Sequence, residues 1–402
     1  MHLGVLFPSS QLTVWADSPV GSHIALESFT HLARTAERGC FDFLILADHP
    51  RQAEHLGEFF ELGVAGEPDQ ITLLSAVAAS TSHLGLVATV NATFNEPFDI
   101  ARRLSTLDRL SGGRAGWNVV TTSDAATGAN FRRGGYLPHA DRYRRAAEFV
   151  DVTRKIWAGG RFEHHGPQFS VSGEFAAPPS PQGTPLMLQA GMSEQGREFG
   201  AAYADVVYSG CKGEAGRAFY RDLRPRFARH GRTPKVMPGV SFVLGDSPEE
   251  ARENARAARL QEVCPRRALW YLERFWGRDL STCDPDGPLP DLDPDLTTAP
   301  DPVARATRIE KWRALAAEQR LSIRELVLKL TDPKPFTGTP RQVAAAMDDY
   351  VRGGGSDGFI LVPRSAPRGL DEFVAKVVPE LRDRGALRPE YSATTLRGHL
   401  GS

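Results

Sequence analysis

No stretch of this chain approaches the roughly 20 consecutive apolar residues that a membrane-spanning helix needs. The opening MHLGVLFPSS has no basic lead-in and no small-residue cleavage site, so the expectation is a cytoplasmic protein. Cysteine is scarce. Cys40, Cys211, Cys264 and Cys283 lie far apart without a C-x-x-C pair, which argues for reduced packing residues and against a disulfide frame or a zinc knuckle. Neither sign of charge is in excess: 48 basic residues balance 49 acidic ones to a formal net charge of −1, leaving no electrostatic footprint for nucleic acid or an anionic membrane. Paired metal ligands are missing as well. No H-E-x-x-H occurs and no H-x-H follows the first apolar run, so His49 and His55 in DHPRQAEH do not read as a metal site. Gly353, Gly355 and Gly358 satisfy G-x-G-x-x-G, but they follow a helix and precede a strand, the reverse of a dinucleotide fingerprint. No nicotinamide-binding half is read here.

What is present is alternation. Short apolar runs at 3–7, 41–47, 84–90, 114–121, 186–190, 205–209, 236–244 and 358–362 read as strands. Helical patterns separate them at 23–38, 70–80, from Pro97, 139–157, 193–203, 214–229, 339–352 and 370–384, with a hairpin or extended excursion at 162–173. Eight strands with eight helical crossovers predict an α/β fold, a closed (β/α)8 TIM barrel forming one domain over 1–402. The pattern breaks at about 249–335. Helical segments at 249–262 and 304–330 flank CDPDGPLPDLDPDLTTAPDP, too poor in apolar residues to fold alone, and the whole reads as a helical insertion after strand seven that serves as an active-site lid.

In such a barrel ligands bind at the C-terminal ends of the strands. The stretch 103–130, RLSTLDRLSGGRAGWNVVTTSDAATGAN, runs from an amphipathic helix through a glycine pair into strand four and delivers Asn118, Thr121 and Thr122 there. Thr93 follows strand three, and Asp48 ends the run FLILAD. His139 and Tyr143, four apart at a helix start, share one face near its positive end, where an anion or an electron-rich ring is favoured. Gly191, Met192 and Ser193 join strand five to helix five, a geometry suited to a phosphate. Each has a plainer reading: Asp48 as a cap, Asn and Thr as ordinary turn residues, His and Tyr as a surface pair, Ser193 as an N-cap.

LDRLSGGRAGWNVVT, followed by Asn130-Phe131 and His139-x-x-x-Tyr143, resembles the nitrilotriacetate and dibenzothiophene-sulfone monooxygenase branch of the bacterial luciferase-like flavin enzymes. The blocks LMLQAGMSEQGREFGAAYADVVY and VVPELRDRGALRPEYSATTLRGHLG agree, and the likeness thins at about 264–304. The resemblance implies a TIM barrel of the bacterial luciferase type that binds FMN. It sets Ala47 and Asp48 beside the flavin, Thr93, Asn118, Thr121 and Thr122 along its ring, His139 and Tyr143 against it, and Gly191, Met192 and Ser193 at its phosphate. Ser10, Trp15 and His49 are the candidates for the substrate end. Pro8, Ser9 and Ser10 stand where the family has a histidine or cysteine.

The implied activity is that of an FMNH2-dependent two-component monooxygenase. It uses O2 through a flavin C4a-hydroperoxide for hydroxylation, C–N or C–S cleavage, or dehydrogenation of a small organic substrate. A separate NAD(P)H:FMN reductase would supply the flavin, and family members commonly form homodimers or higher oligomers. The competing readings are a metal-dependent TIM-barrel hydrolase and a non-catalytic flavin-binding protein. No clear Arg or Lys cluster is read in the site loops, which weighs weakly against polyanionic substrates.

Overall fold

The structure, a computed structural model, describes residues 1–7, 14–15, 24–48, 54–55, 58–59, 68–122, 126–131, 139–297, 299, 301–366 and 368–401. Eight parallel strands close a barrel: β1 (His2–Leu6), β2 (Phe43–Leu46), β3 (Gly85–Asn91), β4 (Ala115–Val120), β5 (Leu186–Gln189), β6 (Val206–Ser209), β7 (Lys235–Val240) and β8 (Gly358–Leu361). Neighbours in the sheet are neighbours in sequence, and β8 returns to β1 with Val5 opposite Leu361. That closure needs Gly358, because a Cβ there would stand 2.0 Å from the His2 carbonyl oxygen.

The period of two along each strand divides the barrel residues between two cores. Phe43, Ile45, Val87, Leu186, Leu188, Val206, Met237 and Ile360 cluster inside the barrel. Leu44, Leu86, Trp117 and Phe359 belong to the core shared with the outer helices. Trp117 is fully buried, lies 5.5 Å from the Phe149 ring and donates its indole N–H to the Val90 carbonyl at 3.0 Å. Leu396 and Leu400 of the C-terminal tail complete the inner cluster, and the Leu396 amide donates to the Gly113 carbonyl at 3.0 Å, so the tail plugs the N-terminal end of the barrel.

The crossover helices are α1 (Leu26–Arg38), α2 (Gln70–Ala78), α3 (Pro97–Leu110), α4 (His139–Trp157), α5 (Glu194–Tyr203) and α6 (Gly213–Arg229). The predicted excursion after α4 is an antiparallel hairpin, Gly160–His165 with Ser170–Phe175. Strand seven is shorter than the sequence pattern suggests: β7 stops at Val240, and Phe242–Leu244 leaves the barrel to pair with Phe336–Gly338.

Between those two short strands lie α7 (Pro248–Glu262), α8 (Pro265–Trp276), α9 (Pro302–Gln319) and α10 (Ile323–Leu330). They carry a core of their own, including Leu269, Leu272, Trp276, Ile309, Trp312 and Leu326. The segment 304–330, read as one helix, is two, separated by Arg320 in the left-handed region at φ 51°. Helix α8 has no counterpart in the sequence reading. The Pro- and Asp-rich run after it is held by main-chain bonds: Trp276 Nε1 donates to the Leu292 carbonyl at 3.1 Å, and the Ile323 amide to that of Gly287 at 2.9 Å. Helix α11 (Pro340–Arg352) precedes β8, and the last crossover is Arg368–Glu372, a π-helical stretch Phe373–Val377, and Val378–Asp383.

Candidate active site

Helix α4 brackets three strand-end loops from one side. Its hydrophobic positions Ala146, Phe149, Val150 and Ile156 are buried against the barrel, and Arg142 and Arg145 fall on that same inward face. Arg145, 1% exposed, donates Nε to the carbonyls of Ala92 and Thr93, both at 3.1 Å, and lies over the Phe169 ring at 4.1 Å. This fixes the loop after β3. Arg142 Nη1 donates to the Thr122 carbonyl at 2.6 Å and fixes the loop after β4. The two loops also meet directly, with Phe94 stacked on Phe131 at 4.7 Å.

Tyr143 does the third part of this work. A Cβ added at Gly191 would lie 2.4 Å from its hydroxyl oxygen, and one at Gly196 would lie 2.7 Å away, so the β5–α5 turn is packed onto Tyr143 and both glycines are required. The predicted residues of this turn are accounted for. Ser193 is the N-cap of α5, its Oγ accepting from the Gly196 amide at 3.1 Å. The Met192 carbonyl accepts from Arg197 Nε at 2.9 Å, and its sulfur lies 3.4 Å from the Gly210 amide. Behind the turn sits Gln189, which sequence reasoning missed; it is 3% exposed and its Oε1 has no hydrogen-bond partner among the described residues.

The mouth itself is polar. Asn118 is 6% exposed, opposes Thr89 in register, and donates Nδ2 to Thr89 Oγ1 at 3.0 Å. Its Oδ1, like Thr93 Oγ1, is buried without a hydrogen-bond partner among the described residues. Leaving such an atom bare costs about 1–3 kcal/mol, which makes each a place where a ligand gains by binding. Thr121 and Thr122 are half-buried just beyond β4. Ala47 and Asp48 follow β2 directly, both half-buried, with the Ala47 carbonyl accepting from Gln70 Nε2 at 2.8 Å. His139 begins α4, but its side chain is outside the described set, as is that of Trp15; Ser10 and His49 lie outside the described residues altogether. The structure thus brings Thr93, Asn118, Thr122, Tyr143, Gly191, Met192 and Ser193 around the strand ends of β3, β4 and β5. Among the described residues no group of three His, Cys, Asp or Glu side chains is placed to hold a metal ion.

One sequence expectation is corrected. A cavity of about 440 Å³ lies between the ends of β6–β8 and the insertion, and it is lined by Lys212, Arg259, Arg267, Arg274 and Arg364. A basic cluster therefore does exist. It is hard to read from the chain because Lys212 and Arg364 stand 152 residues apart, with Arg259, Arg267 and Arg274 between them on the insertion, and the five meet only when the insertion folds down. Tyr208 and Ser241 share the cavity; burial pushes the Tyr208 phenol up, so it stays a protonated donor at neutral pH, and Ser241 Oγ has no partner among the described residues.

A luciferase-like monooxygenase family profile matches residues 1–357. The chain belongs to that family. It is 36% identical to nitrilotriacetate monooxygenase component A of Aminobacter aminovorans, covering all of this chain and 96% of that one. It is 34% identical to dibenzothiophene-sulfone monooxygenase of Rhodococcus erythropolis strain XP with the same coverage. A crystal structure of riboflavin lyase with modified FMN and substrate riboflavin superposes with a TM-score of 0.80 at 30% identity, covering 100% of this chain and 96% of the other. The resemblance drawn from the sequence blocks and the TIM-barrel architecture both stand, and the chain is an enzyme of the monooxygenase class.

Neutral donors and acceptors at the ends of β3 and β4 suit the carbonyl and N–H edge of an isoalloxazine ring, and the two bare oxygens there match its N–H groups. The residues present fit a flavin.

Proposed function

We propose that this luciferase-like protein is an FMNH2-dependent monooxygenase of a two-component system, oxidising a small organic substrate with O2. The observation that carries the reading is the pair of buried, bare oxygens, Thr93 Oγ1 and Asn118 Oδ1, at the C-terminal mouth of the barrel. Reduced flavin, when bound, supplies the electrons that activate O2. Everything else falls to the chain. Thr93, Asn118, Thr121 and Thr122 orient the ring edge, Ala47 and Asp48 flank it, His139 and Tyr143 pack against it, and Gly191, Met192 and Ser193 receive the phosphate.

Water exclusion is the second task. The strand-end loops are pinned by Arg142 and Arg145, and the four-helix insertion covers the side of the mouth nearest β6–β8. We assign it the role of lid. Because no nicotinamide-binding half is built into the sequence, a separate NAD(P)H:FMN reductase delivers the flavin. The relative named component A supports that division of labour.

The test combines the purified chain with an unrelated NADH:FMN reductase, NADH, FMN and a panel of organic sulfones, amines and acids under 18O2. The expected result is one labelled oxygen in a product that forms only when chain, reductase and FMN are all present. Product formation by the chain with NADH alone, or none with any panel member despite bound FMNH2, contradicts the reading.

A further inference from the structure

The cavity under the insertion carries more charge than a lid contact needs. Among the described residues five cationic side chains line it, Lys212, Arg259, Arg267, Arg274 and Arg364, and one carboxylate, Glu262. Glu262 is already committed: Arg259 Nη1 lies 2.9 Å from its Oε2, and Arg364 forms an ion pair with the same carboxylate. Lys212 donates Nζ to the Pro333 carbonyl at 2.7 Å, with the charge of Asp332 acting on it, and Arg274 stacks over Trp270 at 4.9 Å. Cations from four separate elements line this one space, and among the described residues the Glu262 and Asp332 carboxylates are set against them.

Burial first, then the Arg259 guanidinium beside it, pulls Arg364 down to about 10. Burial and the charge of Arg364 pull Lys212 below its ordinary value, and burial lowers Arg259 and Arg267; the Asp332 carboxylate opposes the shift at Lys212 and Arg259 without cancelling it. A bound anion offsets the like-charge repulsion between Arg364 and its cationic neighbours.

We propose that this cavity seats the carboxylate end of an organic acid, the substrate of the monooxygenase reaction. The inference rests on the flavin reading for what happens to that acid, and on the geometry alone for its binding. A planar carboxylate can take paired N–H donors from a guanidinium, in the manner of Arg364 and Glu262. Tyr208, Trp270 and Tyr271, with Val240, Val263 and Val362, form walls for an apolar or aromatic body. The volume is that of a small-molecule site. The other source of an anion is the flavin's own phosphate. The turn suited to that group, Gly191–Ser193, lies after β5, whereas the cationic walls rise from beyond β6, β8 and the insertion.

Calorimetric titration of the whole chain, with and without FMN, uses phenylsuccinate, benzylmalonate and tricarballylate alongside their neutral amides, and compares FMN with riboflavin. At least one acid is expected to bind about tenfold more tightly than its amide, as charge-assisted bonds require. Arg364→Gln and Lys212→Gln should each weaken that acid about tenfold while FMN affinity stays within about twofold. Arg364→Gln removes one partner of the buried Glu262 and puts the fold at risk, so Lys212→Gln, whose amine serves no ion pair shown here, carries the comparison independently. Equal binding of acids and amides, including no binding of either, overturns the proposal. So does weakening of FMN but not riboflavin in these variants, which would hand the cavity to the flavin phosphate. A chain that binds neither flavin contradicts the function proposed above and leaves the acid-against-amide result to decide this one.

Discussion

Thr93 and Asn118, like Gln189 behind the next turn, each hold a buried oxygen without a hydrogen-bond partner among the described residues. Arg114, only one strand-length away at the opposite end of β4, is the contrast: its guanidinium donates to the carbonyls of Ser111, Leu84, Ala78 and Thr81 and to Thr81 Oγ1, so it is satisfied and structural. Replacing Thr93 by Val keeps the shape and removes the hydroxyl. Anaerobic FMNH2 affinity is expected to fall by about fivefold to tenfold, the value of roughly one hydrogen bond, while the thermal midpoint holds or rises because a buried bare oxygen has gone. Trp117→Ala, by contrast, empties the barrel's outer core and should cost about 3–5 kcal/mol in denaturant unfolding. Asn118 and Thr93 were legible because their strand-end positions follow from the alternation of apolar runs. Gln189 and Ser241 were not, since nothing in LMLQAG or GVSFVL marks one polar side chain as bare.

At the scale of elements, α4 and the β5–α5 turn position the site. The α4 bracket was half legible: the helical pattern of 139–157 fixes the element, but the roles of Arg142 and Arg145 rest on their lying on the buried face with Ala146 and Phe149. A charged residue at helical spacing within an apolar stripe is the signal that would have found them. Arg145→Met leaves the Ala92 and Thr93 carbonyls without their donor, so the variant should lose about 1–3 kcal/mol in stability and weaken FMNH2 binding through a loosened β3 loop. At Gly191 the expectation is sharper. Gly191→Ala drives a methyl into Tyr143 and Gln189, and the measured flavin affinity should drop, with partial recovery in Gly191→Ala combined with Tyr143→Phe. Helix α8 escaped the sequence reading because it lies within the stretch where the family likeness thins, yet Ala268, Leu269, Leu272 and Trp276 lie at helical spacing, with Pro265 in its first turn and Gly277 at its left-handed C-cap. Physical periodicity was there to be used where resemblance ran out.

The whole molecule closes at both ends by devices distant in sequence. At the N-terminal end the tail returns, and Asp42, fully buried, accepts from the Leu3 amide at 2.8 Å, from His2 Nδ1 at 3.2 Å, and from Arg388. Burial alone would push this carboxyl up; the His2 hydrogen bond and charge, with the Arg388 guanidinium, outweigh it and hold the group below its ordinary 3.8. A depressed carboxyl contributes stability that is complete above its unfolded value and is lost as pH falls through the lower folded one. The unfolding free-energy difference between the parent chain and Asp42→Asn should therefore shrink as pH falls below about 4. Eight strands in order were legible from the chain alone. This latch was not, because it joins residues 42 and 388, and neither was the separate core of the insertion, which depends on α8.

At the C-terminal end, the account stands on reduced flavin occupying the mouth of the barrel. Anaerobic equilibrium titration with FMNH2, run on the parent chain and on Asn118→Leu, tests this most directly. One flavin per chain, with affinity reduced about tenfold or more in Asn118→Leu at unchanged secondary structure, is the expected result. No binding by the parent chain, or equal affinity in both proteins, would contradict it.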